Sequence, residues 1–385
     1  MTAKPLAQRQ ANLPYGKHLI EEDDLTAVNR VLRSDRLTTG PTVLEFERAL
    51  SLKVEARATV CSSGTAALHL AALMLDLKPG DSVVVPTITF LATANAVRYT
   101  GADVIFADVD PDTGLLTPDS LETALRGKRA RAVIPVHLAG QCANMDKIGG
   151  IAREYGLHVV EDACHALGGT CGGSPVGACA QSDMNVTVFS FHPVKTIAMG
   201  EGGAITTRNP IWAQRLKELR NHGMIRHSPH SYEMLELGFN YRASDIHCAL
   251  GLSQLAKLDR FVAERRKIMG WYAEALAPLA PLVKPLSQVP WCNPAWHLNV
   301  VLIDFLAAGV SRSAVIRTLA EKGIGSQIHY FPVHRQPYYR RLYGDQHLPG
   351  AESYHERALS LPLYVGLTQD DVTRVVDELT RALTT

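Results

Sequence analysis

Nowhere does this chain hold the roughly 18 consecutive apolar residues that a bilayer span requires, and no secretory signal opens it. A soluble, cytoplasmic protein without a membrane partner is the expectation. A surplus of one charge is also missing: 39 Lys and Arg stand against 38 Asp and Glu, for a net charge of +1. Without a basic stripe or an aromatic-interleaved patch, nucleic acid is not an expected partner, and any anion must be bound locally. Internal repeats and low-complexity segments are absent, which excludes solenoids and arrays. Cysteine is sparse and odd in number, with seven residues scattered at Cys61, Cys142, Cys164, Cys171, Cys179, Cys248 and Cys292. That is too few for a chain of 385 residues to rest on disulfides. Cys164, Cys171 and Cys179 beside His165 tempt a zinc reading, but their spacing lacks the short Cys-x-x-Cys pairing of structural zinc sites. Reduced thiols and no metal are expected.

What is present is an alternation. Short β-branched runs at Ala58–Cys61, Ser82–Val85, Asp103–Ala107, Ala132–Val136, His158–Val160, Val186–Phe191 and Ala204–Thr206 are mostly separated by helical stretches. Those stretches are Thr65–Leu75, Leu91–Tyr99, Pro118–Leu125 and Met145–Tyr155. Strands joined by helix-length crossovers predict an α/β fold with a mostly parallel seven-stranded sheet covered on both faces. Residues 1–20 read as an extended arm, and Glu21–Leu32 as a helix with an acidic first turn. After Pro210 come helices at Trp212–Arg220, Ser244–Lys257 and Leu258–Leu276, then a proline-rich break. Beyond it a smaller α/β lobe is expected, with strands at Trp296–Ile303 and Ser326–Tyr330 and helices at Ser313–Lys322 and Asp370–Leu383. The expected division is an arm (1–20), a large domain (21–257) and a small C-terminal domain (258–385).

In such sheets, ligands lie beyond the carboxyl ends of the strands. Three kinds of group fall there. Lys195 follows the strand Val186–Phe191, between Pro193 and the flexible Gly200-Glu201-Gly202-Gly203. Asp162 ends the run His158–Asp162, and the turn Ser63-Gly64-Thr65 opens a helix. An amine, a carboxylate and an anion cradle at a helix start are what pyridoxal 5'-phosphate (PLP) requires. Each residue also has an ordinary reading: a solvated lysine, a capping aspartate, an N-cap turn that can double as a phosphate site. Ser190 could add a hydroxyl to the same phosphate. Phe90 could stack on one ring face or simply be core. His165 could cover the other face or contact the ring oxygen, and His192 could be merely packed.

Together, SSGTAALHL (Ser62–Leu70), PTITFLATAN (Pro86–Asn95), VEDACHALG (Val160–Gly168), FSFHPVKTIAMGEGG (Phe189–Gly203), GFNYRASDIHCALGLSQL (Gly238–Leu255) and HYFPVH (His329–His334) resemble the DegT/DnrJ/StrS family of sugar aminotransferases. That family lies within fold type I of the PLP-dependent transferases, the aspartate aminotransferase-like fold. The resemblance implies Lys195 as Schiff-base lysine, Asp162 as partner of the pyridine nitrogen, and Phe90 and His165 on the ring faces. It further implies Gly64, Thr65 and Ser190 at the phosphate, with Asn240 reaching it from the partner subunit of a homodimer with shared active sites. His329 and Tyr330 match a segment near a sugar-nucleotide substrate. Many members carry glutamine where His165 stands. The turn around His192-Pro193-Val194 is most similar to enzymes that aminate carbon 4 of UDP-linked 4-keto-6-deoxy-hexosamines, as in the pseudaminic acid pathway. Glutamate is the implied amino donor.

Other readings stay open. A C3-keto sugar or a cyclitol would suit the same scaffold. A dehydratase of this fold carries histidine at the lysine position, and a non-catalytic regulator would show damage at Lys195, Asp162 or the Ser-Gly-Thr turn. All of these are intact.

Overall fold

The computed structural model describes residues 12–179, 185–228 and 230–384. Seven strands form the main sheet: β1 (Arg57–Cys61), β2 (Ser82–Pro86), β3 (Asp103–Ala107), β4 (Ala132–Val133), β5 (His158–Asp162), β6 (Asn185–Ser190) and β7 (Gly203–Thr207). Their spatial order is β1-β7-β6-β5-β4-β2-β3. β7 alone runs against its two neighbours, and all other pairings are parallel. The mostly parallel seven-stranded sheet read from the sequence therefore forms, and the antiparallel β7 makes it mixed. Val83, Val84 and Val85 of β2 are wholly buried, as a strand covered on both faces must be.

The helices begin where capping chemistry places them. α1 (Glu22–Leu32) and α2 (Pro41–Val54) precede the sheet. α3 (Gly64–Met74) is capped by the Ser63 hydroxyl, which accepts from the Ala66 N–H at 3.0 Å. α4 (Leu91–Tyr99) follows Phe90, and α5 (Pro118–Leu125) starts at Thr117 with proline in its first turn. α6 (Met145–Glu154) is capped by Asn144 and α7 (Pro210–Leu219) by Asn209. α8 (Asp245–Ala256) begins at Ser244, and the long α9 (Leu258–Leu276) runs into the second lobe.

That lobe holds a three-stranded antiparallel sheet of β8 (Val283–Pro285), β9 (Asn299–Ile303) and β10 (Ala358–Leu361). Around it lie α10 (Arg312–Glu321), α12 (Pro349–Arg357) and α13 (Gln369–Thr384), whereas α11 (Pro337–Tyr343) packs at the edge of the main sheet, with Tyr339 and Tyr343 against Phe106 of β3. One apolar cluster runs from Phe46 and Leu50 through Phe189 and Phe191 to Tyr272, Val301 and Leu379, so the two lobes share a core. Among the described residues, no helix is long and apolar enough to cross a membrane.

Several elements differ from the sequence reading. The strand expected at Ala132–Val136 pairs only over Ala132–Val133, because Pro135 has no N–H to give the ladder. A single bridge, Val136 to Asp162, resumes the pairing. The strand expected at Ser326–Tyr330 reduces to one bridge, Gln327 to Ser360, after which the chain turns toward the strand ends. α2, β8, α11, α12 and β10 have no counterpart in the sequence reading. The first eleven residues of the expected arm lie outside the described residues. The next few strap across the second lobe, where the Leu13 N–H donates to the Gly323 carbonyl at 2.8 Å.

Candidate active site

Beyond the carboxyl ends of β1, β5 and β6 lies a cavity of about 640 Å3. Ser63, Gly64, Thr65, Phe90, Asp162, His165, Ser190, Lys195, His329 and Tyr330 all line it. Of the residues singled out from the sequence, Asn240 alone stands outside: it is exposed and bridges Asn221 on the same chain. A second concavity, of about 860 Å3, lies at the amino end of β1 against α2 and α7. It is the wrong end of the sheet for a ligand site.

The anion cradle is built by the turn from β1 into α3. Ser63 spends its hydroxyl on the helix cap, but the Gly64 and Thr65 N–H groups and the Thr65 hydroxyl have no partner among the described residues. Ser190, at the end of β6, stands opposite. A Cβ added to Gly64 would come within 2.7 Å of the Ser190 Cβ, so any side chain there would close the cradle. Ser190 Oγ accepts only a long bond from the His192 N–H, at 3.4 Å, and its proton is free to donate.

Asp162 is held from two sides. Its Oδ2 accepts from Thr93 Oγ1 at 2.7 Å, and its Oδ1 from the Cys164 N–H at 3.2 Å. Thr93 in turn meets Thr89 Oγ1 at 2.7 Å. Thr89 and Thr93 lie one helical turn apart and meet across the start of α4, which is how α4 braces a carboxylate on β5.

Lys195 sits on a loop that the core fixes. The Phe191 N–H donates to the Gly202 carbonyl and the Met199 N–H to the Phe191 carbonyl, closing the loop at 2.8 and 2.9 Å. Met199 is buried beneath it, against Gly202 and Gly251, where a Cβ would come within 2.9 and 2.8 Å of the methionine sulfur. Half-buried, Lys195 Nζ has no hydrogen-bond partner among the described residues. Burial holds its amine below the ordinary lysine value, partly countered by Cys164 and Asp162.

Across the cavity, His165 Nε2 meets the Tyr330 hydroxyl at 3.2 Å, and its ring lies 4.5 Å from that of His297. Burial, with the Lys195 charge beside it, pushes His165 well below its ordinary value, and His297 likewise; His329 falls to about 3. All three imidazoles are therefore neutral near pH 7. Nδ1 of both His165 and His297 is buried without a partner among the described residues. Phe90 is 57% exposed at the mouth, 6.1 Å from the Tyr330 ring, and so is no part of the core.

These groups fit PLP: free amides and hydroxyls where a phosphate would rest, a braced carboxylate, an unpartnered amine, and a buried imidazole nitrogen left open. The sequence reading missed Thr93, Cys164 and His297. Thr93 lay within the quoted PTITFLATAN segment, one turn after Thr89, whereas His297 carries no local signal in Ala295-Trp296-His297-Leu298.

The chain matches the model of the DegT/DnrJ/EryC1/StrS aminotransferase family over residues 18–380. Among solved structures it resembles Helicobacter pylori PseC, an aminotransferase involved in the biosynthesis of pseudoaminic acid. The TM-score is 0.91 at 28% identity, covering 97% of this chain and 99% of that one. Spr1654 from Streptococcus pneumoniae, described as a sugar aminotransferase and solved in its PLP form, gives 0.89 at 30% identity, over 97% and 99%. DesV of S. venezuelae gives 0.84 at 34% identity, over 94% of each chain.

Proposed function

This chain belongs to the DegT/DnrJ/EryC1/StrS aminotransferase family, and from that premise we propose that it transfers an amino group from glutamate to carbon 4 of a UDP-linked 4-keto-6-deoxy sugar. It is a PLP-dependent aminotransferase of fold type I. The observation that carries the sugar reading is the likeness to PseC over 97% of the chain, joined to a cavity of about 640 Å3. Such a volume lies within the range of ligand clefts and leaves room for a sugar beside the cofactor.

When bound, the cofactor supplies an electron sink for charge developing on the carbon that bears the amine. Every other task falls to this chain. The Gly64 and Thr65 amides, with the Thr65 and Ser190 hydroxyls, hold the phosphate at the α3 N-terminus. Asp162, kept in place by Thr93, holds a proton on the ring nitrogen. Lys195 Nζ, whose amine burial holds below the ordinary lysine value, would take a proton from the donor carbon in one half-reaction and give a proton to carbon 4 of the sugar in the other. Neutral His165 covers one ring face, with its orientation fixed by the Tyr330 hydroxyl, and Phe90 covers the other. His329 and Tyr330 frame the sugar side and exclude water.

A panel of UDP- and dTDP-linked keto sugars with glutamate as donor tests the substrate. The 4-keto-6-deoxy UDP sugar is expected to lead a C3-keto sugar or a cyclitol ketone by on the order of a hundredfold in kcat/KM, since positioned polar groups set such discrimination. Preference for the C3-keto sugar or the cyclitol would move the amination site, and no turnover of any sugar would remove the sugar reading.

The site is proposed to work in a cytoplasmic homodimer, completed by Asn240 from the partner subunit. Support comes from the placement of Asn240: exposed, outside its own cavity, in a loop just before α8. Mixing inactive Lys195→Ala and Asn240→Ala subunits then yields one site with both defects and one with neither, and activity should return on exchange. Verified mixed dimers that stay inactive would assign Asn240 to its own chain.

A further inference from the structure

The cysteines that looked like a group in the sequence are dispersed in the fold. Cys164 lines the active-site cavity, while Cys179 is buried with Thr187 and the Thr206 carbonyl. Cys171 instead meets two distant thiols. The short strand Thr170–Cys171 pairs antiparallel with Cys292–Asn293, setting Cys171 opposite Cys292. The next pair along is hydrogen-bonded, with the Gly172 N–H donating to the Trp291 carbonyl at 2.9 Å. Cys171 and Cys292 therefore occupy the intervening non-hydrogen-bonded position, where side chains approach most closely and Cα atoms lie about 4.5 Å apart. That separation falls within the span of about 4.4–6.8 Å that a disulfide bridges.

Cys142 completes the group, with its N–H donating to Cys292 Sγ at 3.2 Å. All seven cysteines are free thiols. We propose that Cys171 and Cys292 form an oxidative modification site, closing to a disulfide when the protein meets a peroxide. Cys171 is the point of entry. It is half-buried, whereas Cys142 and Cys292 are buried, and it precedes a tight turn through Gly172 and Gly173, both at positive φ (55° and 84°).

The surroundings favour thiolate. The Cys142 thiol, whose single proton can serve either sulfur in turn, and the nearby His137 lower Cys171 and bring Cys292 to about 7. His137 is itself raised: although burial opposes its charge, Glu161 is bonded to its Nε2 at 3.0 Å. Hydrogen bonding to those two sulfurs raises Cys142, which stays a thiol.

In the reaction, the Cys171 thiolate attacks one peroxide oxygen, forming a sulfenic acid and releasing hydroxide, which takes up a proton to become water. The Cys292 thiolate then attacks that sulfur and expels a second hydroxide, likewise protonated. Two thiols are oxidised to one disulfide, and one peroxide is reduced to two waters. The bond would fasten the hairpin at Thr170 to the segment that leads, five residues on, to His297 in the active site.

The test treats the purified holoenzyme with hydrogen peroxide and maps peptides without reduction. A linked Cys171–Cys292 peptide is expected, with two fewer than the seven free thiols and full reversal by dithiothreitol. In Cys292→Ser, the Cys171 sulfenic acid should persist and react with dimedone; in Cys142→Ser, the link should still form. A Cys142–Cys292 link, earlier oxidation at Cys164, or sulfinic acid at Cys171 without cross-linking would each overturn the proposal.

Discussion

Replacing Lys195 by alanine is expected to cut amino transfer by roughly a thousandfold or more, the upper range for a lost acid–base group. The fold should tolerate the change. Lys195 Nζ has no hydrogen-bond partner among the described residues, so no buried group is orphaned. Its loop is held by Phe191, Met199 and Gly202, independently of the amine. The variant should still bind PLP through the α3 N-terminus, and a small primary amine should restore part of the rate. That rescue separates a lost chemical group from a damaged fold. In the unaltered protein, a yellow colour and a pyridoxyl group on Lys195 after borohydride reduction are expected. Lys217 is the sharpest control, because it lies on α7 with its Nζ 3.9 Å from Glu47, away from the cavity. Labelling there, or a Lys195→Ala variant that keeps its rate, would end the assignment.

How far the sequence carried this picture depended on whether the deciding contact was local. β2 and the flanks of β5 and β6 declare themselves through runs such as Val83-Val84-Val85, and α3, α5 and α6 through caps within three residues of their starts. α2 has no such cap. Its first N–H groups at Gly40 and Thr42 are satisfied by the Asp245 carboxylate at 2.7 and 3.0 Å, from the far side of the sequence. β10 is a short run that becomes a strand only by pairing with β9. The site divides the same way. Lys195, Asp162 and the Ser63-Gly64-Thr65 turn could be placed because each marks a strand end or a helix start. His297 reaches the cavity by tertiary packing against His165, and the Cys142–Cys171–Cys292 group joins three distant segments. Nearness in sequence instead sets Cys164, Cys171 and Cys179 together, and the fold separates them.

Asp162→Asn should lower turnover roughly a hundredfold or more, as loss of a preorganised charge does, with the protein still folded and still binding PLP. The hydrogen bonds explain why stability should survive. Both neighbours now donate to the carboxylate, Thr93 Oγ1 to Oδ2 and the Cys164 N–H to Oδ1. An amide can keep its oxygen toward Cys164 and donate from its nitrogen to Thr93. The threonine hydroxyl can then turn its own proton toward Thr89 Oγ1, already 2.7 Å away. No buried polar atom is left unpaired, so the large penalty for such an atom does not arise. What disappears is the negative charge that holds a proton on the ring nitrogen, and with it the ring's capacity to accept electrons. The measurement is kcat alongside cofactor affinity and melting temperature. A hundredfold fall in kcat at unchanged melting temperature supports the electrostatic role. A near-unaltered kcat would give that role to another residue, and a collapsed melting temperature would show that Asp162 matters mainly to the fold.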